Sequence, residues 1–294
     1  MPQARFWSRA LFLGLAGAAV ALVAPARGTA EDAPEGEAAA KQLAKERLEL
    51  MASRIGQIQI KAVGEGTEFP GKLEPVPIYR YDDPARGLVS AGLWRLGAKG
   101  RPLAIISTEL QPRYHNRPRI VYEYLSLTDK AFTATSTDTG WAPRSSEIAF
   151  KPIPGSPEPA ATERQRLLQM KNEAKRFTAW EIVGGERCEL RLMPQPIERY
   201  TPVDADRSDA TMFILAYGLN PEAILFVESD GKQFQYAFGR LTGASKVVAE
   251  IEGAAAWEGP KVRYGWDNSY TASNSPADIP GIAPDGTPLP AKTP

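Results

Sequence analysis

Apolar residues recur twice along the chain at helical spacing. Leu48, Met51, Ile55 and Ile58 stand three or four apart with charged residues between them, and Leu167, Met170, Ala174 and Phe177 repeat the arrangement. Such spacing puts the four on one stripe of a helix. Thr162-x-x-Gln165 is a capping box for the second helix, and Pro159 bars helix from running in upstream. The first helix has room to begin earlier, within the Ala-, Glu- and Lys-rich stretch Glu35 to Lys45. Downstream of each helix the pattern changes to alternating or continuous apolar runs rich in β-branched and aromatic residues. These predict strands at Ala91–Leu96, Leu103–Glu109 and Arg119–Leu127, then at Ala210–Tyr217, Glu222–Glu228 and Gln233–Leu241. The connections are too short for helical crossovers, which predicts antiparallel pairing.

The two series align on each other. At an offset of 119 residues, Leu73-Glu-Pro-Val-Pro-Ile-Tyr-Arg-Tyr81 faces Leu192-Met-Pro-Gln-Pro-Ile-Glu-Arg-Tyr200, with six of nine positions identical. Over residues 47 to 109, 16 of 63 positions match, Arg47 with Arg166 and Glu109 with Glu228 among them. Beyond Glu109 the offset drops to 114, then 116, pairing Tyr122 with Tyr236 and Trp141 with Trp257. Loop-length differences between copies produce such changes. The expected fold is therefore α+β: two tandem repeats, each one helix packed on an antiparallel meander of about five strands. The expected boundaries are a signal peptide at 1–30, a linker at 31–40, module one at 41–151, a Pro-rich connector at 152–158, module two at 159–269 and a disordered Pro-rich tail at 270–294.

The first thirty residues read as a secretory signal: basic Arg5 and Arg9, an apolar run from Leu11 to Ala24, then small residues before acidic Glu31. The run is too short to span a membrane as a helix. Cleavage is expected before Glu31 or Arg27, leaving no membrane span and an exported, periplasmic or secreted protein. The apolar and charged fractions, 43% and 24%, are those of a globular chain. Without residues 1–30 the balance is 32 basic against 35 acidic side chains, which gives no overall attraction to nucleic acid. Cys188 stands alone, so no internal disulfide holds the fold; its alternation with Leu190 and Leu192 predicts a buried thiol. The segments Leu192–Tyr200, Asn220-Pro-Glu-Ala-Ile-Leu-Phe-Val-Glu228 and Phe234-Gln-Tyr236 resemble an uncharacterised family of exported proteins of the kind common in Planctomycetes. That resemblance implies export and duplicated modules, and no activity.

Candidate chemistry is sparse. His115 is the single histidine, which excludes a two-histidine metal site, and no phosphate loop or nucleophile elbow is present. No cofactor, metal or catalytic residue is expected. The matched residues Arg80, Tyr81 and Glu109, with Arg199, Tyr200 and Glu228, form the best-defined polar set. They read as an Arg–Glu bridge and a packing tyrosine in each copy, or as a paired ligand site; Glu109 and Glu228 as a hydrolytic carboxylate dyad is the alternative. Gln111 to Arg119 has no counterpart in the second copy. Its Arg113, Tyr114, His115, Arg117 and Arg119 are expected to form a binding loop for an envelope protein or polymer. The functional expectation is a non-catalytic binding or scaffold protein of the cell envelope; the alternative is a hydrolase acting on an envelope polymer.

Overall fold

Helix α1 (Asp32–Gly56) turns Met51 and Ile55 into the core, with Leu48 packed alongside, as the apolar stripe requires. The structure, a computed structural model, describes residues 32–64, 69, 71–202 and 206–290; the expected signal peptide lies outside the described residues. After α1 come β1 (Gln59–Ala62), β2 (Tyr79–Asp83), a 3-10 turn at Pro84–Arg86, β3 (Leu88–Leu96), β4 (Ala104–Tyr114), β5 (Arg117–Ser126), β6 (Phe132–Thr135), β7 (Gly140–Trp141) and β8 (Lys151–Pro152). Helix α2 (Glu163–Ala174) follows, its N-terminus capped by Thr162, which accepts from the Gln165 amide at 3.4 Å. The chain ends in β9 (Phe177–Val183), β10 (Glu186–Leu192), β11 (Glu198–Tyr200), β12 (Ser208–Tyr217), β13 (Asn220–Asp230), β14 (Phe234–Arg240), β15 (Val247–Ile251), β16 (Ala254–Gly259) and β17 (Tyr270–Pro276).

These strands do not make two helix-plus-meander modules, so the α+β expectation is overturned. The protein is mostly β, 46% strand and 15% helix, with two α-helices among the described residues. One sheet of five strands runs β17-β5-β4-β3-β2, and one of three runs β1-β6-β7. The third is a curled nine-stranded sheet in the order β16-β15-β9-β10-β12-β13-β14-β8, with β11 also on β12. The local patterns located strands correctly, but partners are set by packing far along the chain. β10 bridges β9 to β12 and so fuses what would be separate sheets.

Three apolar layers hold the assembly. In β4, Ala104, Ile106 and Leu110 face α1, while Ile105 faces the other way; in β13, Ala223, Leu225 and Val227 face α2, while Ile224 and Phe226 point opposite. Ile105, Leu93 and Leu125 of the five-stranded sheet thus meet Met212, Ile214, Ile224 and Phe226 of the nine-stranded sheet in a central layer. Both faces of these strands are buried, which is why they read as nearly continuous apolar runs.

The segment boundaries also change. Most of the expected linker at 31–40 is the start of α1. The connector is anchored by buried Ile153, whose amide donates to the Phe234 carbonyl at 2.9 Å. Residues 270–276 are strand β17 paired along β5, and Ala277 and Ile279 sit in the α1 layer. Two apolar anchors and a full ladder of main-chain bonds suffice to fix a Pro-rich segment. Cys188 is half-exposed on the β9–β10 hairpin rather than buried.

Candidate functional site

The matched polar residues occupy the inner faces of the two stacked sheets, with one member of each set displaced. Tyr81 lies beside Ala91, which lies beside Glu109; Tyr200 lies beside Ala210, which lies beside Glu228. In each row the tyrosine reaches across the middle strand to donate to the glutamate, at 3.1 Å in the first and 2.6 Å in the second. Successive strand residues point to opposite faces, so Arg80 and Arg199 look away from these glutamates. The expected Arg80–Glu109 and Arg199–Glu228 bridges do not form. Arg199 instead donates through Nε to Asp209 at 2.8 Å, and Arg80 is exposed.

The two glutamates differ in what neutralises them. Arg101, in the β3–β4 turn, grips Glu228 with Nε and Nη2 at 2.8 and 2.6 Å and stacks on Phe150. The position matched to Arg101 in the second half is Asn220, so Glu109 receives no such arginine. It accepts from Tyr81 and from Gln111 at 2.6 Å, and burial pushes its pKa up. Glu109 also lies five residues further along β4 than Ala104, the strand's start next to Arg101, or roughly 17 Å at strand rise. Glu109 and Glu228 therefore have separate partners at separate ends of the sandwich and do not form a dyad.

Around Glu109 the sandwich end is acidic. Arg86, from the 3-10 turn, donates to Glu222 at 2.6 Å and lies 3.6 Å from Glu181 and 3.7 Å from Asp83. Burial, then the charge of Glu181, raises the Glu222 carboxyl to about 7. Burial and the charge of Glu109 raise that of Glu123. Among the described residues no group of three or more His, Cys, Asp or Glu side chains is placed to hold a metal ion. No described helix is long and apolar enough to cross a membrane.

Gln111 to Arg119 is a hairpin tip rather than a loop. β4 and β5 continue to Tyr114 and Arg117 and turn tightly through His115 and Asn116, both at positive φ, the geometry of a two-residue hairpin turn. Arg113, His115 and Arg117 are exposed; Tyr114 packs edge-on against His115 at 4.6 Å. Arg119 lies further down β5 and donates to Asn274 at 2.6 Å. Segment 260–269 joins β16 to β17 and enters β17 at Tyr270, the partner of Leu125, toward the end of β5 away from this tip. Tyr264 is 55% exposed and Trp266 48%.

Beneath that segment lies Arg240, 5% exposed. Its Nη2 donates to the Pro260 carbonyl at 2.5 Å and its guanidinium sits over the Tyr270 ring, while Nη1 has no hydrogen-bond partner among the described residues. Arg240, Lys261, Arg263, Tyr270 and Glu147 line a cavity of about 210 Å³, and the charges of Glu147 and Glu123 act on Arg240. The Tyr270 hydroxyl neighbours the Glu123 carboxylate without reaching hydrogen-bond geometry.

The chain matches no family model, no curated protein and no solved structure. The site must therefore be read from its own geometry. Arg240 was missing from the sequence expectations although a signal existed: Phe234, Tyr236 and Phe238 occupy one buried row of β14, and Arg240 is the next residue in it. A charge where the alternation calls for a hydrophobe is the mark of an interior polar group. Arg101 and Arg86 carried no comparable signal, because their partners Glu228 and Glu222 lie 127 and 136 residues away.

Proposed function

We propose that this is a non-catalytic binding protein of the cell envelope, exported to the periplasm or beyond, which docks an anionic envelope polymer on segment 260–269, which carries Lys261, Arg263, Tyr264 and Trp266. The observation that carries the reading is Arg240. A guanidinium taken out of water without an ion-pair partner costs several kcal/mol, and the buried Nη1 of Arg240 has no hydrogen-bond partner among the described residues. Around it Lys261 and Arg263 add positive charge, and two half-exposed aromatic rings supply the flat contact area that interfaces favour. A cavity of about 210 Å³ is smaller than a drug-sized pocket of roughly 300 Å³ or more. It suits one acidic group of a larger chain. Tyr81 and Gln111 on Glu109, and Arg101 and Tyr200 on Glu228, support a structural rather than hydrolytic use of those carboxylates.

Co-sedimentation with a polyuronate tests the reading. Binding is expected at low salt and should fall steeply above roughly 0.3 M, where exposed charges are screened. The double variant Lys261→Ala, Arg263→Ala should weaken it about tenfold, since each exposed charge contributes up to about 1 kcal/mol. Equal retention of a polyuronate and a neutral glucan, or unchanged binding by the double variant, would overturn it.

A further inference from the structure

We infer that a second, separate groove, between the N-terminal half of α1 and strands β2 and β3, binds an organic carboxylate with an apolar body, held by Arg47 and Arg80. The structure contains its own precedent. In the second half, Arg166 of α2 and Arg199 of β11 converge on the carboxylate of Asp209: Arg166 Nε at 3.1 Å and Arg199 Nε at 2.8 Å, on opposite oxygens. Asp209 stands immediately before Ala210, the register partner of Tyr200. In the first half, Arg47 of α1 and Arg80 of β2 occupy the corresponding places, and Ala91 is the register partner of Tyr81. The residue immediately before Ala91 is Ser90. Two arginines thus remain where the carboxylate between them has been replaced by a hydroxymethyl group.

The space is open and the arginines have donors left. Arg47, Arg80 and Ser90 line a groove of about 640 Å³, within the range of pockets that take small organic ligands. Arg47 differs from Arg166 in resting Nε on the Pro280 carbonyl at 3.1 Å and Nη1 on that of Val89 at 3.3 Å, with no partner for Nη2 among the described residues. Neither Arg47 nor Arg80 forms an ion pair among the described residues; Asp82, which also lines the groove, acts on Arg47 through its charge without pairing with it. The groove exists because α1 starts at Asp32, well before Arg47, whereas α2 starts at Glu163, just before Arg166. The extra turns raise a wall bearing Leu43, and Val89 lines the groove from β3. These apolar walls beside paired guanidinium donors select a carboxylate on a hydrophobic body rather than a bare inorganic anion.

Isothermal titration of the full folded protein with 4-phenylbutyrate tests this site independently of polymer binding. Saturable binding is expected, lost for 4-phenylbutylamine and much weaker for acetate. Arg80→Ala, at an exposed position that leaves the fold alone, should weaken binding by about tenfold or more, as loss of a charged hydrogen bond does. Ser90→Asp should abolish it by supplying the missing carboxylate from within, while Ser90→Asn should bind the probe; polyuronate co-sedimentation should be unchanged in both. Tighter binding of a Leu-ending peptide with a free C-terminus than of its amidated form, and tighter than of 4-phenylbutyrate, would assign the carboxylate to a chain end; the reverse would assign a free acid. No saturable binding of either the acid or the free-ended peptide, or full binding by Ser90→Asp, would overturn the inference.

Discussion

Asp209→Ala is expected to lower the unfolding free energy by about 3–5 kcal/mol, as breaking a buried ion pair from one side does. Asp209 is 4% exposed and Arg166 6%. The carboxylate accepts from Arg166 Nε at 3.1 Å, from Arg199 Nε at 2.8 Å and from the Ala210 amide at 3.1 Å. Removing it leaves the Arg166 guanidinium inside the fold with the carbonyls of Ala160 and Ala161 as its remaining partners. Arg199→Ala should cost only about 1 kcal/mol, because Arg199 is one-third exposed and its loss leaves Asp209 still paired with Arg166. Urea unfolding of the two variants checks the contrast. Equal losses would mean that the cluster is solvated and that depth does not separate the two arginines.

The parts of this fold that were legible in the sequence are those governed by local spacing. Met51, Ile55, Met170 and Ala174 are buried helix positions because residues three and four apart share a face. The strands through Ala91–Leu96, Leu103–Glu109 and Glu222–Glu228 fall where the apolar runs put them. What spacing does not encode is the neighbour of each strand. β17 adds to β5 across some 150 residues, and β10 joins two groups of strands into one curled sheet. The polar set shows the same division at single-residue scale. Equal Arg-to-Glu spacing in both halves suggested a bridge, but the adjacent tyrosine shares the glutamate's face and takes its place. The hairpin tip stood out by its lack of a counterpart, whereas Arg240, whose Nη1 has no partner among the described residues, was hidden inside an apolar row.

The acidic end of the sandwich should make the protein less stable as pH rises from about 4.5 to about 7. Glu222 carries the effect: its carboxyl titrates near 4.5 when unfolded and at about 7 in the folded protein, raised by burial and by the Glu181 charge and opposed by Arg86. Between those values the folded state holds a proton that the unfolded chain has released, so raising pH through the window favours unfolding. At about 1.4 kcal/mol per pH unit the loss amounts to roughly 3 kcal/mol. Glu109 and Glu123, also raised by burial, act in the same direction. The urea midpoint should accordingly be higher near pH 5 than near pH 8. Glu222→Gln should flatten the difference by keeping a neutral side chain at this buried position, while Arg86 retains Glu181 and Asp83 within ion-pair reach. A midpoint that climbs with pH across this window, or a Gln variant that keeps the wild-type slope, would show that Glu222 is ionised throughout and that its bond to Arg86 outweighs its burial.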